Sequence, residues 1–323
     1  MRFSRLGSTD LDVSVIGFGA SPLGSVFGDV SQEAADRAVA SAIESGINLF
    51  DVSPYYGMTL AEERLGAALG SQRKNVLLST KCGRYGADVF DFSAQTITAS
   101  CESSLQRLRT DHVDLLLAHD IEFGNIEQIV GETVPAMQRL KEQGKVRFIG
   151  LSSYWPGLLA HVASQTKVDC VLNYYHANLF ADDMDSELVP AARQLGFGLL
   201  NASPLHMGLL ADKAVPGWHP APVCVREAAL AIRSACAQHA TDAGTLAPHV
   251  CLQHSAVASI FVGISSESEI TAACAALDWT PDADLLQVVQ QIVAPVHNIV
   301  WPSGRLENQD AALRTKRLCH AAD

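Results

Sequence analysis

The 323 residues, 48% of them apolar, suffice for one large core, and no Pro/Gly/Ser-rich linker or low-complexity segment divides them. A single domain over 1–323 is expected, with its core at about 12–277 and a C-terminal helix and tail over 278–323. The formal charge of −12, spread over scattered carboxylates, argues against nucleic acid as a partner, and with no apolar leader and no span-length run the expectation is a soluble, cytoplasmic monomer or homodimer away from membranes.

In chain order, the Gly7-Ser8-Thr9-Asp10 turn between residues 3–6 and 11–15 predicts a β-hairpin. Strands and helices then alternate. Strands are expected to end near Gly19, Phe50, Thr80, Ala118, Leu151, Leu172, Leu200 and Val262. Helices are expected over 31–45, 60–69, 93–108, 126–143, 156–164, 185–195, 223–239 and 267–277. Ser31 and Ser93 are placed to cap two of these helices, while Gly46, Gly144 and Gly196 close three others. Eight strands each followed by a helix predict a (β/α)8 TIM barrel, an α/β fold, behind the N-terminal hairpin. A doubly wound sheet is the alternative, but Gly17-Phe18-Gly19 has Pro22 where the third glycine of the dinucleotide fingerprint would fall. The 213–223 stretch reads as a loop over the top face, and the chain beyond Pro295 as a tail extended around the barrel.

The eight cysteines form no CxxC pair and no metal-like spacing, so reduced thiols and no metal site are expected. Cys82, next to Lys81, is the one for which a lowered pKa is expected.

Asp51, Tyr56, Lys81 and His119 stand at or just past the ends of three buried apolar runs, where a barrel of this kind gathers its chemistry. Together they suit proton transfer in an alcohol/carbonyl couple. A tyrosine working as a base near neutral pH needs its pKa lowered by roughly 3 units, about 4 kcal/mol. Lys81 would stabilise the phenolate, Asp51 would hold Lys81, and His119 would donate a hydrogen bond to the reacting oxygen. Taken singly, the same residues also read as a structural ion pair, a loop aromatic and a core histidine.

The chain resembles the aldo-keto reductases in Phe50-Asp51-Val52-Ser53-Pro54-Tyr55-Tyr56-Gly57, in Glu62-Glu63-Arg64-Leu65-Gly66, in Ser79-Thr80-Lys81 and in Gly150-Leu151-Ser152. The resemblance implies a barrel that binds an extended nicotinamide cofactor across its C-terminal rim. It also implies a catalytic tetrad of Asp51, Tyr56, Lys81 and His119, Tyr56 being the tyrosine that precedes Gly57. It further implies that Ser152, Ser153 and Asn173 hold the nicotinamide carboxamide, and that Ser203, Leu205 and Gly208 wrap the pyrophosphate. Ala202 stands where an aromatic residue commonly stacks on the ring. In the stretch 262–269, with Gly263, Ser265 and Glu269, NADP-preferring members carry Lys and Arg; a carboxylate there repels a 2′-phosphate and accepts a hydrogen bond from a ribose hydroxyl, which favours NAD.

Further stretches are similar to a sugar-oxidising branch of the family: the segment 17–28, His119-Asp120-Ile121-Glu122-Phe123-Gly124, Ala202-Ser203-Pro204-Leu205 and Trp301-Pro302-Ser303-Gly304. This implies NAD-dependent oxidation of the anomeric carbon of an aldose to a lactone, with L-galactose on the route to ascorbate as the first expectation and L-fucose or D-arabinose as alternatives. A polyhydroxylated substrate needs directional partners, for which Asp120, His176, Asn178 and Asp185 are candidates, while Phe27, Phe123 and Trp155 are placed to pack its apolar face. An NADPH-linked aldehyde reductase and a non-catalytic nicotinamide-binding regulator are the competing readings.

Overall fold

The computed structural model describes residues 1–215 and 217–309. Phe3–Arg5 (β1) pairs antiparallel with Asp12–Ser14 (β2) in register Phe3 to Ser14, so the expected hairpin forms. Eight parallel strands then close into a barrel. They are Ile16–Gly19 (β3), Leu49–Asp51 (β4), Leu77–Cys82 (β5), Val113–Ala118 (β6), Val146–Ser153 (β7), Cys170–Tyr174 (β8), Gly198–Ala202 (β9) and Val257–Gly263 (β10), the last pairing back onto the first. Closure excludes the doubly wound alternative.

Alternation along each strand sets what faces inward. Leu49, Leu115, Leu117, Leu172, Leu200 and Phe261 share one interior cluster with Leu6, Leu11 and Val13 of the hairpin, which thus stoppers the N-terminal end of the barrel. Two residues further along β4 the inward position is Asp51, along β5 it runs from Leu77 through Ser79 to Lys81, and after Leu115 and Leu117 it falls to His119. Apolar layers below therefore give way to a polar layer at the mouth. The ladder continues through it, Asp51 opposite Ser79 and Lys81 opposite Leu117, so most strands end one or two residues later than apolar patterning predicts.

The outer helices follow their signals. Ser31 Oγ accepts from the Ala34 amide at 3.2 Å and Ser93 Oγ from the Thr96 amide at 3.4 Å, while Gly46, Gly144 and Gly196 take left-handed conformations at helix ends. One helix, Ala243–Leu252, has no counterpart in the sequence reading, because Pro248 lies inside it and its polar residues are few. Beyond the barrel, Ala283–Val293 packs on Val223–Gln238. Residues 296–309 do not run around the barrel: they cross the mouth, where Trp301 is buried against Tyr154 and Tyr175, Ser303 accepts from Trp155 Nε1 at 2.8 Å, and Asn308 Nδ2 binds the Glu122 and Gly124 carbonyls. The tail beyond residue 309, with Cys319, lies outside the described residues. No helix among the described residues is long and apolar enough to cross a membrane.

Candidate active site

Asp51, Lys81, Tyr56 and His119 converge at the C-terminal mouth. Lys81 Nζ lies 2.5 Å from Asp51 Oδ2 and 3.0 Å from the Val52 carbonyl, and Ser79 Oγ donates to Asp51 Oδ1 at 2.8 Å. The ammonium sits 4.9 Å from the centre of the Tyr56 ring, and His119 meets that ring edge-on at 5.7 Å. Asp51 and Lys81 are both buried, so each needs the other: deleting one partner leaves an unpaired charge at a cost of about 3–5 kcal/mol.

The surrounding motif residues hold this geometry. Tyr56 lies in the turn after β4, and Gly57, at φ +61°, carries the chain so close to Gly24 that a Cβ would fall 2.2 Å from the Gly24 carbonyl oxygen. Arg64 binds the Leu23 carbonyl at 2.6 Å and Ser25 Oγ at 2.9 Å, tying the loop after β3 to the helix Leu60–Leu69. Glu62, fully buried, accepts from Thr80 Oγ1 at 2.6 Å and pairs with Arg107 at 2.7 Å, anchoring that helix to the strand that carries Lys81.

Electrostatics depart from expectation at two points. Burial would lower the Lys81 pKa, but the charges of Asp51 and Tyr56 outweigh it and hold the ammonium above its ordinary value. Burial pushes the Tyr56 phenol up to about 12, against the pull of Lys81 and with Asp51 and Asp120 adding to the rise. The expectation that Lys81 brings the phenol down is thus corrected: desolvation wins. Burial, with Lys81 and Arg84 adding to it against Asp120, lowers His119 to about 3, so its ring is neutral at physiological pH. Its Nδ1 lies 3.0 Å from Ser53 Oγ. That oxygen already accepts the Tyr55 amide at 3.1 Å, so the buried Ser53 hydroxyl hydrogen finds its acceptor in Nδ1 and the ring proton falls on Nε2. A neutral Nε2–H donor results. Cys82 is buried, and burial together with Cys101 raises its thiol well above the ordinary value, opposite to the expected direction. Cys82, Cys101, Cys170, Cys236, Cys251 and Cys274 are free thiols.

From Asp51 and Tyr56 a cleft of about 910 Å³, open solvent included, runs past Gly19, Ala202, Ser203, Leu205 and Gly208 to Gly263, Lys213 and Glu269. Small residues dominate its floor, which leaves room for an extended ligand. Ser203, at φ +63°, begins the loop that forms one wall. Glu269 is fixed at the far end: Oε2 accepts from the Ser265 amide at 2.7 Å and hydroxyl at 3.0 Å, and Oε1 meets Lys213 Nζ at 2.5 Å. Burial would raise the Glu269 pKa, but Lys213 and Ser265 together hold it below the ordinary value. Lys213 is a groove residue that sequence reading passed over inside a loop; a lone cation next to Pro- and Gly-rich sequence was its only signal. Asn173 uses Nδ2 on the Ser153 and Tyr154 carbonyls, both at 3.0 Å, while its buried Oδ1 has no protein donor among the described residues. An acceptor so placed fits a carboxamide N–H. Ser152 Oγ accepts from the Asp120 amide at 3.1 Å and Ser153 Oγ from the Trp155 amide at 3.1 Å.

The expected substrate residues divide. Phe27 lines the cleft, Asp120 stands beside His119, and Phe123 stacks on Phe90 at 4.5 Å nearby. The other four are elsewhere. Trp155 is buried under the C-terminal chain, and His176 is buried with Nδ1 on Asp183 at 2.7 Å and its ring against Tyr154. Asn178 closes its own turn through the Tyr175 carbonyl and the Phe180 and Ala181 amides, and Asp185 pairs with His254; both line a separate cleft between helices. None of these four lines the cleft that holds Asp51 and Tyr56; Trp155 Nε1, His176 Nδ1, the Asn178 amide and the Asp185 carboxylate are engaged within the fold, while the buried His176 Nε2 has no protein partner among the described residues. Ser53 and Arg84 are additions; Ser53 lay in view inside the motif, and Arg84 two residues past the β5 strand end.

Comparison with known proteins agrees with this architecture. Residues 15–294 match the family model described as the aldo/keto reductase family. The chain is 42% identical to L-galactose dehydrogenase of Arabidopsis thaliana over 94% of its own length and 98% of that protein. It is 28% identical to D-threo-aldose 1-dehydrogenase of a Pseudomonas species, covering 81% of this chain and 88% of that one. Among solved structures, the holo form of an aldo-keto reductase from Bacillus halodurans superimposes with a TM-score of 0.75 at 25% identity, over 96% of this chain and all of that one.

Proposed function

The chain belongs to the aldo/keto reductase family, and from that membership we propose that it oxidises the anomeric carbon of an aldose with NAD, L-galactose first among substrates, releasing L-galactono-1,4-lactone. The observation that carries this reading is the convergence of Asp51, Lys81, Tyr56 and the neutral His119 at one end of a groove that closes on Glu269 at the other. The sugar assignment leans on the 42% identity to L-galactose dehydrogenase; L-fucose and D-arabinose remain the alternatives.

Asn173 would hold the carboxamide and Glu269 the adenosine ribose of a nicotinamide cofactor in the groove, which would supply a hydride acceptor. The residues supply the rest. His119 Nε2–H and Tyr56 grip the anomeric oxygen; Tyr56 takes its proton as the carbon gives up hydride, and the C–O bond becomes the lactone carbonyl. Lys81, held by Asp51, stabilises the phenolate on which proton removal depends. Glu269 already neutralises Lys213, the one cation among the described groove residues, which supports NAD over NADP.

The high pKa of Tyr56 favours a second reading, carbonyl reduction, for which a protonated phenol is the competent form. Initial rates of reduced-nicotinamide formation with L-galactose, L-fucose, D-arabinose and D-galactose, each with NAD and NADP, separate the two. NAD-linked oxidation of L-galactose supports the proposal; inactivity toward all four, with NADPH-linked reduction of simple aldehydes, replaces it with the second reading.

A further inference from the structure

Next to His119, on the side away from Ser53, sits a charged pair that the chemistry above leaves unused. Asp120 Oδ2 lies 3.6 Å from His119 Nε2 and 2.5 Å from the Arg84 guanidinium. Both are held in place. Asp120 adopts a left-handed backbone at φ +51°, its amide is bound by Ser152 Oγ, and its side chain is almost fully buried. The Arg84 guanidinium lies over the Tyr55 ring at 3.9 Å from its centre and near the stacked Phe90 and Phe123 rings. A carboxylate in strained backbone, clamped by an arginine sandwiched among aromatics, is costly to build, and backbone strain of this kind marks positions where function sets the geometry.

Two features point outward to a ligand. Arg84 and His119 both approach Oδ2, and among the described residues Oδ1 has no protein donor. Moreover, Oδ2 is adjacent to the Nε2–H that grips the reacting oxygen, so a hydroxyl one carbon further along the substrate arrives within reach of the pair. A carboxylate accepts its O–H and the guanidinium donates to its oxygen, which satisfies both polarities of a hydroxyl at once.

We propose that Arg84 and Asp120 form a specificity site for the hydroxyl on the carbon adjacent to the reacting one, so that the protein selects 2-hydroxy aldoses and rejects their 2-deoxy counterparts. This rests on the aldose reading above and deepens it. A buried charged pair shaped for a hydroxyl is left unsatisfied by an analogue that lacks it, and sites built this way discriminate far more strongly than apolar packing does.

The test compares kcat/KM for L-galactose and 2-deoxy-L-galactose in the wild type, Asp120→Asn, Asp120→Ala and Arg84→Met. Asn keeps the left-handed backbone that Asp tolerates, and the ratio of the two substrates is independent of how much of a variant folds. Asp120 also acts on the Tyr56 and His119 electrostatics, but that effect is common to both sugars and cancels in the ratio. The wild type is expected to prefer L-galactose by at least about 100-fold, with the preference falling to within about 5-fold in Asp120→Ala and substantially in Arg84→Met, while NAD affinity by fluorescence titration is unchanged. A wild type active on L-galactose that accepts the 2-deoxy sugar equally, or variants that keep the full preference, overturns the specificity site and leaves the aldose reading intact. A wild type that oxidises neither sugar overturns both.

Discussion

At the scale of single residues, the four members of the site were legible because each is polar where burial makes polarity expensive. Their protonation was not. Whether a lysine next to a phenol lowers its pKa depends on how completely both are desolvated, and that follows from the packing of loops far apart in sequence. With Tyr56 at about 12 the phenol is almost wholly protonated at neutral pH, so the base form grows as pH rises. Oxidation should therefore accelerate from pH 6 to pH 9 and carbonyl reduction should not, as pH profiles of kcat/KM in each direction will reveal. Ser53→Ala removes the donor to Nδ1 and lets the ring proton move there, away from the reacting oxygen. A loss of about tenfold in kcat with a smaller change in KM is expected, along with a change in the ¹⁵N resonances of the His119 ring. Unaltered kcat and resonances would show that Asp120 alone sets the tautomer.

At the scale of elements, the helix caps and closing glycines could be read because they are local. Strand ends were misjudged by a residue or two for a physical reason: hydrogen-bonded ladders continue after the inward side chains turn from Leu to Asp, Lys and His. Four residues expected at the sugar lie away from the cleft for the complementary reason. Proximity to the rim in sequence says nothing about which way a loop turns: His176 is buried in the fold and Asn178 lines a separate cleft. Gly57 shows how tightly the Tyr56 turn is determined. Gly57→Ala places a Cβ against the Gly24 backbone at positive φ, so a loss of roughly 1–3 kcal/mol is expected, seen as a lower Tm accompanied by reduced turnover. At the other end of the groove, Glu269→Ala frees Lys213 from its partner. Selectivity for NADP relative to NAD should then rise about tenfold or more in kcat/KM, whereas unchanged selectivity would return Glu269 to the role of a helix-end carboxylate.

At the scale of the whole molecule, alternation and spacing were enough to predict an eight-stranded barrel behind an N-terminal hairpin, but not the path of the last described segment. That segment lacks periodicity and is ordered by the site it covers: Gly304, at φ +77°, lies so close to Glu122 that a Cβ would meet its side chain at 2.5 Å, and Ser303 Oγ donates to Glu122 Oε1 at 3.1 Å. Burial, with Asp120 adding to it, raises Glu122 to about 7. A folded-state pKa above the unfolded one means that the folded protein binds the extra proton between about pH 4.5 and 7, so this contribution to stability is lost as pH rises through that window. Glu122→Gln should therefore gain in Tm over the wild type at pH 8 relative to pH 5; a difference independent of pH would show that Glu122 is ionised throughout.

The central claim is that Tyr56, at the end of a nicotinamide groove, exchanges the proton of a sugar's anomeric hydroxyl. It is tested most directly by the initial rate of NADH formation from L-galactose and NAD with the wild type and with Tyr56→Phe, alongside NAD affinity by fluorescence titration. The account predicts a clear wild-type rate, a fall of about a thousandfold or more in kcat for Tyr56→Phe, and an NAD affinity unchanged within about twofold. A Tyr56→Phe protein that turns over L-galactose at near the wild-type rate would contradict it.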